Sequence, residues 1–240
     1  MTLQQLDRDL WAAEQPLRYM GLNIRARMTV VRSLLSTESP QVVLTVVSPI
    51  EMTESLRGQL NQLGPVANII APNCYHHFFV ADFKALYPQA TFWAAPGLAV
   101  KKPELPIDKT IDKEKAEFVP GLVSIFFNGL MTLGFDGIEP FNECVFFHAA
   151  SRTLILTDAA FHLDSSFPWL TQLVARVIGS YQRLSPSLLE KIATVDKTPV
   201  KQAVQQILDW DFDRVVMAHG SIIETDGKEA FRKGYEKFFS

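Results

Sequence analysis

Ile69-Ile-Ala-Pro-Asn-Cys-Tyr-His-His-Phe-Phe79 carries the fold decision in this chain. A short apolar strand over 66–71 runs into a proline and a polar turn, and two adjacent histidines, His76 and His77, close that turn. Open α/β folds commonly set functional side chains just beyond strand ends, on turns that a rigid scaffold positions. The segments on either side of this turn therefore decide what architecture carries it.

Upstream, Leu56, Leu60 and Leu63 share one helical face, Thr53 is placed to cap that helix, and Gly64-Pro65 stops it. Further back, Thr29–Arg32 and Gln41–Val47 are β-branched runs separated by the turn-rich stretch Ser36–Pro40, which predicts a hairpin. Downstream, a helix over Val80–Leu86 precedes a strand over Thr91–Ala95. Lys101–Lys115 is charged, contains two prolines and reads as an exposed loop. Three short apolar strands follow, Leu122–Phe127, Glu143–Phe147 and Thr153–Thr157, and suggest a second, mostly antiparallel sheet. Helices are expected over Trp169–Ile178, Ser187–Ile192 and Pro199–Leu208, packed on the outside. A last strand, Arg214–Ala218, ends at His219-Gly220, and Lys228–Phe239 is an amphipathic helix.

Two strand-rich groups with interleaved and flanking helices predict an α/β fold in which two sheets pack face to face and helices cover both outer faces. The whole chain, 1–240, reads as one such domain. An open doubly wound sheet is the competing arrangement, because the middle of the chain also reads as βαβ units; no Gly-rich phosphate loop supports a nucleotide site.

The totals narrow the function classes. With 48% hydrophobic and 20% charged residues the chain reads as globular. Its net charge is -3 and its basic residues form no dense cluster, so nucleic acid is not expected as a partner. No apolar run approaches the about 20 residues that cross a bilayer, and Met1–Leu10 carries two aspartates and an arginine rather than a signal segment. The expectation is a cytoplasmic protein without a membrane partner. Cys74 and Cys144 are too few for a disulfide scaffold and read as buried thiols.

Three of the five histidines follow apolar strand-like segments: His76 and His77 after the 66–71 strand, and His219 after Arg214-Val-Val-Met-Ala. Asp158 ends Thr153-Leu-Ile-Leu-Thr in the same manner. Imidazole nitrogens with a carboxylate oxygen form a set that zinc, iron or manganese accepts. Each residue also has a plainer reading. His77 can be a hydrogen-bonded histidine holding its turn, and His76 can point to solvent or touch a ligand from outside. Asp158 can cap the segment after its strand. His148 reads as structural, and Ser151-Arg152 as hairpin-turn chemistry.

The order strand, His-rich turn, strand, Thr-Asp, helices, strand, His-Gly resembles the metallo-β-lactamase superfamily over nearly the whole chain. Ala71-Pro-Asn-Cys-Tyr-His-His-Phe-Phe79 and Phe146-Phe-His-Ala-Ala-Ser-Arg-Thr-Leu-Ile-Leu-Thr-Asp158 resemble, more narrowly, an uncharacterised branch described as a domain of unknown function, type 4336. The resemblance implies a four-layer αβ/βα sandwich. It also implies an HxHxDH motif after the early strand, and a gapless alignment puts Asn73, Tyr75, His77 and Phe78 at its four ligand positions. His77 is the one able to bind a metal there, with His76 as a substitute after a small change of register. For the superfamily's next histidine the sequence offers Glu139 or Asp136. Asp158 matches the bridging aspartate and His219 the last histidine. The ligand set for one metal of the usual pair looks dismantled, and the other survives as His77, Asp158 and His219, with His76 assisting. These residues imply one divalent ion, zinc, iron or manganese, and hydrolysis of a small-molecule ester, thioester, amide or phosphate, with Asp158 also orienting the water. The alternative is a non-catalytic descendant of the fold that binds a small molecule or a protein.

Overall fold

The computed structural model describes residues 1–240 except 20, 36, 37, 39, 40, 115, 135 and 136. Asp136, one of the two candidates for a further ligand, lies outside the described residues.

One sheet has seven strands, in the order β1 (Gln4–Asp7), β2 (Leu10–Gln15), β5 (Ala26–Leu34), β6 (Val42–Val47), β7 (Val66–Ala71), β8 (Thr91–Ala94) and β9 (Lys109–Thr110). It is antiparallel from β1 to β6 and parallel from β6 to β9. The second sheet has five, in the order β10 (Ala116–Val119), β11 (Leu122–Phe127), β14 (Glu143–His148), β15 (Thr153–Ile155) and β16 (Arg214–Val216), with only β15 and β16 parallel. Two small hairpins stand apart, β3 (Arg18–Tyr19) with β4 (Leu22–Asn23), and β12 (Met131–Gly134) with β13 (Gly137–Pro140).

Alternation along the strands explains why the sheets pack in four layers. In β7, Ile69 and Ala71 join a core with Leu56 and Leu60 of α1 (Glu54–Leu63) and Phe83 of α2 (Val80–Leu86). Ile70 between them faces the other sheet and packs with Cys144, Phe146 and Ile155. In β14 and β15, Val145 and Leu154 point away from that middle layer, toward α6 (Thr198–Leu208) and α7 (Gly227–Phe239). A strand apolar on both faces is stable only when both are covered, here by the opposing sheet inside and a helix outside. The open doubly wound alternative is thereby excluded.

Thr53 caps α1 through its hydroxyl, which accepts from the Leu56 amide, as expected for that residue at a helix start. Ser187 and Glu190 form a reciprocal capping box on α5 (Leu188–Ala193). The loop expected over Lys101–Lys115 is shorter than that: α3 (Leu98–Lys101) reaches into it, and Lys109-Thr110 pairs with Trp93 and Ala94 at the sheet edge. Neither cysteine is paired; both are buried, and burial pushes both thiols above their ordinary pKa. No helix among the described residues is long and apolar enough to cross a membrane.

Candidate metal centre

The site forms where β7 of one sheet and β15 and β16 of the other end beside each other. After β7 the chain turns at Pro72-Asn73, and the Asn73 side chain organises the turn. Its Oδ1 accepts from the backbone amides of Tyr75 and His76, both at 2.8 Å. Its Nδ2 donates to Asp158 Oδ2 at 2.7 Å and to Thr157 Oγ1 at 3.0 Å. An Asx turn of this kind tightens the backbone and fixes which following side chain points inward. Here that side chain is His76.

Asp158 is set by a second buried group. Glu143, fully buried at the start of β14, accepts from the backbone amides of Thr157 (2.7 Å), Asp158 (2.8 Å) and Ala159 (3.0 Å). Burial, followed by the negative charge of Asp158, pushes the Glu143 carboxyl up to about 7 against the pull of those amides. His219 follows β16 and is held by its Nδ1, which donates to the Arg25 carbonyl at 2.6 Å. The buried Arg27 guanidinium ties the same turn down, donating to the Met217 carbonyl and, at 2.6 Å, to the Gly220 carbonyl. Gly220 has φ +115°, and a Cβ there would overlap the His162 carbonyl, so this turn admits glycine.

Three donors converge as a result. His76 Nε2 lies 3.1 Å from Asp158 Oδ2 and His219 Nε2 lies 3.6 Å from Asp158 Oδ1. One ligand atom from each of His76, Asp158 and His219 falls within 4.8 Å of the others. His76 Nδ1 shares a 2.7 Å hydrogen bond with Ser48 Oγ. Burial lowers the His76 pKa, but the Asp158 carboxylate and then Glu143 outweigh it and leave the imidazole above its ordinary value. Burial would raise Asp158, yet His76, His219 and the Asn73 amide hold it down at about 2. His219 is driven by burial down to about 4.

These facts test whether the residues fit a cation. A carbonyl only accepts, so His219 Nδ1 carries the proton, and at neutral pH its Nε2 is a bare lone pair. That lone pair faces a carboxylate oxygen 3.6 Å away, two electron-rich atoms with no hydrogen between them. A cation between them resolves the repulsion, and two imidazoles with one carboxylate are an ordinary donor set for a first-row divalent ion with an open position. The Ser48 and Arg25 contacts are the outer hydrogen bonds that orient ligating imidazoles. The residues fit.

The trio expected from the sequence had His77 in this place; among the described residues the structure gives it to His76. His77 is half-buried with its ring stacked on Phe78 at 4.8 Å between centroids, away from the carboxylate. Burial, then Lys102 and Lys101, lowers its pKa. Glu139 also stands apart, accepting from Tyr75 Oη (2.9 Å) and Lys101 Nζ (2.6 Å). His148 bonds Ser151 Oγ at 2.7 Å where β14 turns into β15, at the end of β15 opposite Asp158. His162 shares a 3.0 Å hydrogen bond with the Ser221 carbonyl. Sequence reasoning gave no role to Ser48, Glu143 or Arg27. Glu143 and Arg27 had a visible signal, a charged residue inside an apolar strand, which is stable only if fully hydrogen-bonded.

A family model described as a domain of unknown function, DUF4336, matches residues 7–179. No curated protein matches the chain. Solved structures do. A metallo-beta-lactamase from Pontibacter korlensis is 14% identical with a TM-score of 0.64, over 100% of this chain and 99% of that one. One from Erythrobacter litoralis, with beta-mercaptoethanol in its active site, is 14% identical with a TM-score of 0.65, over 98% and 96%. The metallo-beta-lactamase FIM-1 from Pseudomonas aeruginosa, in its mono-zinc form, is 10% identical with a TM-score of 0.60, over 98% and 95%. Likeness at these identities shows a common fold.

Proposed function

The chain belongs to the DUF4336 family and has the metallo-beta-lactamase fold, and from that premise we propose that His76, Asp158 and His219 hold one divalent ion and that the site hydrolyses a small-molecule ester, thioester, amide or phosphate. The observation that carries this reading is the bare His219 Nε2 facing Asp158 Oδ1. Held by these three residues, a zinc, iron or manganese ion would acidify a water toward neutrality and polarise a carbonyl or phosphoryl oxygen.

The chain's own residues do the rest. Asp158 is anionic at neutral pH, and with Oδ2 engaged by Asn73 its Oδ1 is left to bind and to orient a water. His76 can present Nε2 as a lone pair because the Ser48 hydroxyl is able to take its Nδ1 proton. Asp158 Oδ2 already accepts from the Asn73 amide, which favours one ion rather than a pair. The reading places the protein in the cytoplasm, which two unpaired thiols fit.

One observation favours the non-catalytic alternative. The three side chains are only 11%, 9% and 10% exposed, a narrow opening for a substrate. Two measurements separate the readings. Elemental analysis of protein purified without chelator is expected to give about one ion per chain, lost in His76→Ala and His219→Ala and kept in His77→Ala. Metal-free wild type, or loss on changing His77, sinks the site. Metal-replete protein inert on a panel of ester, thioester, amide and phosphate substrates keeps the site and removes the hydrolase.

A further inference from the structure

We propose that Ser48 is a nucleophile served by His76 and Asp158, and that the chain, when no ion occupies these residues, cleaves small carboxylic esters through an acyl-serine. Ser48 Oγ lies 2.7 Å from His76 Nδ1, and His76 Nε2 lies 3.1 Å from Asp158 Oδ2. A hydroxyl, an imidazole and a carboxylate joined in this order are the parts of a nucleophilic triad, which is recognised by geometry and roles rather than by position in the chain. The tautomer follows from the acceptor. A carboxylate only accepts, so in the neutral ring the 3.1 Å contact puts the proton on Nε2 and leaves Nδ1 as a lone pair for the Ser48 hydroxyl. Either ring nitrogen can act as the base when the other is bonded in this way.

The backbone at Ser48 points the same way. Ser48 directly follows β6, which runs parallel to β7, so the ends of the two strands lie side by side and the serine meets the turn that carries His76. It has φ +55°, in the left-handed region that residues other than glycine rarely adopt, and Pro49 comes next. Its amide is held there, donating to the Ile70 carbonyl at 3.0 Å. Strain of this kind persists where the surroundings enforce it and clusters at functional sites, and a serine on a strained turn after a strand is an arrangement that presents a nucleophile.

The step needs only the ester and water. Ser48 Oγ attacks the carbonyl carbon while its proton passes to His76 Nδ1; the bond from that carbon to the alcohol oxygen breaks, and the alcohol leaves with the proton. Water, deprotonated by the same nitrogen, then releases the acid and restores the hydroxyl. Ser48 is 4% exposed, which restricts the acyl group to a small one. An ion on His76 Nε2 would leave the ring proton on Nδ1, donating to Ser48, so the base would be lost. That exclusion, unlike the triad itself, rests on the metal reading.

p-Nitrophenyl acetate added to the whole chain after chelator treatment tests this. The expected result is an initial burst of about one p-nitrophenol per chain, with the acetyl group found on Ser48 by peptide mass spectrometry. Ser165 and Ser166, exposed ahead of α4 (Trp169–Ile178) and bonded to no imidazole, are the internal control and should stay unmodified. Ser48→Gly removes the hydroxyl at a positive φ that glycine adopts freely, so it should stay folded and show no burst. His76→Gln should slow acylation at least about 100-fold, whereas His77→Ala should acylate like wild type. Zinc bound at about one per chain should suppress the burst; a burst undiminished by bound zinc overturns the exclusion. No acetyl group on Ser48, or acylation equally fast in His76→Gln, overturns the proposal. Acylated Ser48 in a chain that binds no ion leaves the triad standing and removes the metal reading; a bound ion in a chain whose Ser48 never acylates does the reverse.

Discussion

His219 and Glu143 are buried ionisable residues whose protonation preferences oppose each other. His219 has its folded pKa depressed to about 4, so the fold prefers the neutral ring. Its contribution is present above the ordinary histidine pKa and is lost as pH falls below about 6.5. Glu143 has its folded pKa raised to about 7, so the fold prefers the protonated acid and gains stability as pH falls through the same range. Between pH 6.5 and 5 the two therefore act on the stability of the metal-free protein with opposite signs. Glu143→Gln removes one side of this balance. Its urea midpoint should drop more steeply from pH 6.5 to 5 than that of wild type. Parallel profiles for the two proteins would mean that Glu143 is not held protonated. A Glu143→Gln midpoint that does not fall over this range would mean that His219 is not held neutral, and the bare-nitrogen argument for a cation would fall with it.

Among the elements, the turn after β16 shows how much the fold spends on placing one imidazole. Arg27 lies in β5 of the other sheet yet donates to two carbonyls of this turn. Arg27→Met keeps most of the apolar stem and leaves the Met217 and Gly220 carbonyls without that donor, at an expected loss of about 2–4 kcal/mol. Because the turn carries His219, metal retained through dialysis should fall as well; full retention by a destabilised protein would reduce Arg27 to a stability role. The β5–β6 hairpin, α1 and the β7 run were legible, since β-branched runs and leucines at helical spacing report burial directly. The first hairpins were not. β2 is Leu-Trp-Ala-Ala-Glu-Gln, whose alanines carry no β-branched signal although its first four residues are buried, and β3 and β4 have two residues each. At the site, Asp158 and His219 were legible because each ends an apolar strand that sets its direction. The choice between His76 and His77 was not, because it depends on Asn73 accepting two backbone amides and winding the turn by one residue, which a gapless alignment cannot represent.

For the whole molecule the consequence is that the three candidate ligands come from both sheets. His76 follows β7 in the seven-stranded sheet, and Asp158 and His219 follow β15 and β16 in the five-stranded sheet. An ion held by all three would bind the folded chain and not the unfolded one, so its affinity adds to the stability of the sandwich. At a free ion concentration 100 times the dissociation constant the gain is about 2.7 kcal/mol. For a chain of this length each kcal/mol moves the thermal midpoint by about 2–4 °C, so titrating zinc, iron or manganese into metal-free protein should raise it by about 5–10 °C. Chelator should reverse the rise. His76→Ala and His219→Ala should each abolish it, although one ligand stands in each sheet, whereas His77→Ala, stacked on Phe78 outside the group, should respond like wild type. A midpoint that ignores every ion at such concentrations would leave a sandwich closed by its hydrophobic middle layer alone, and Asp158 would then be held by the His76 and Asn73 hydrogen bonds already present.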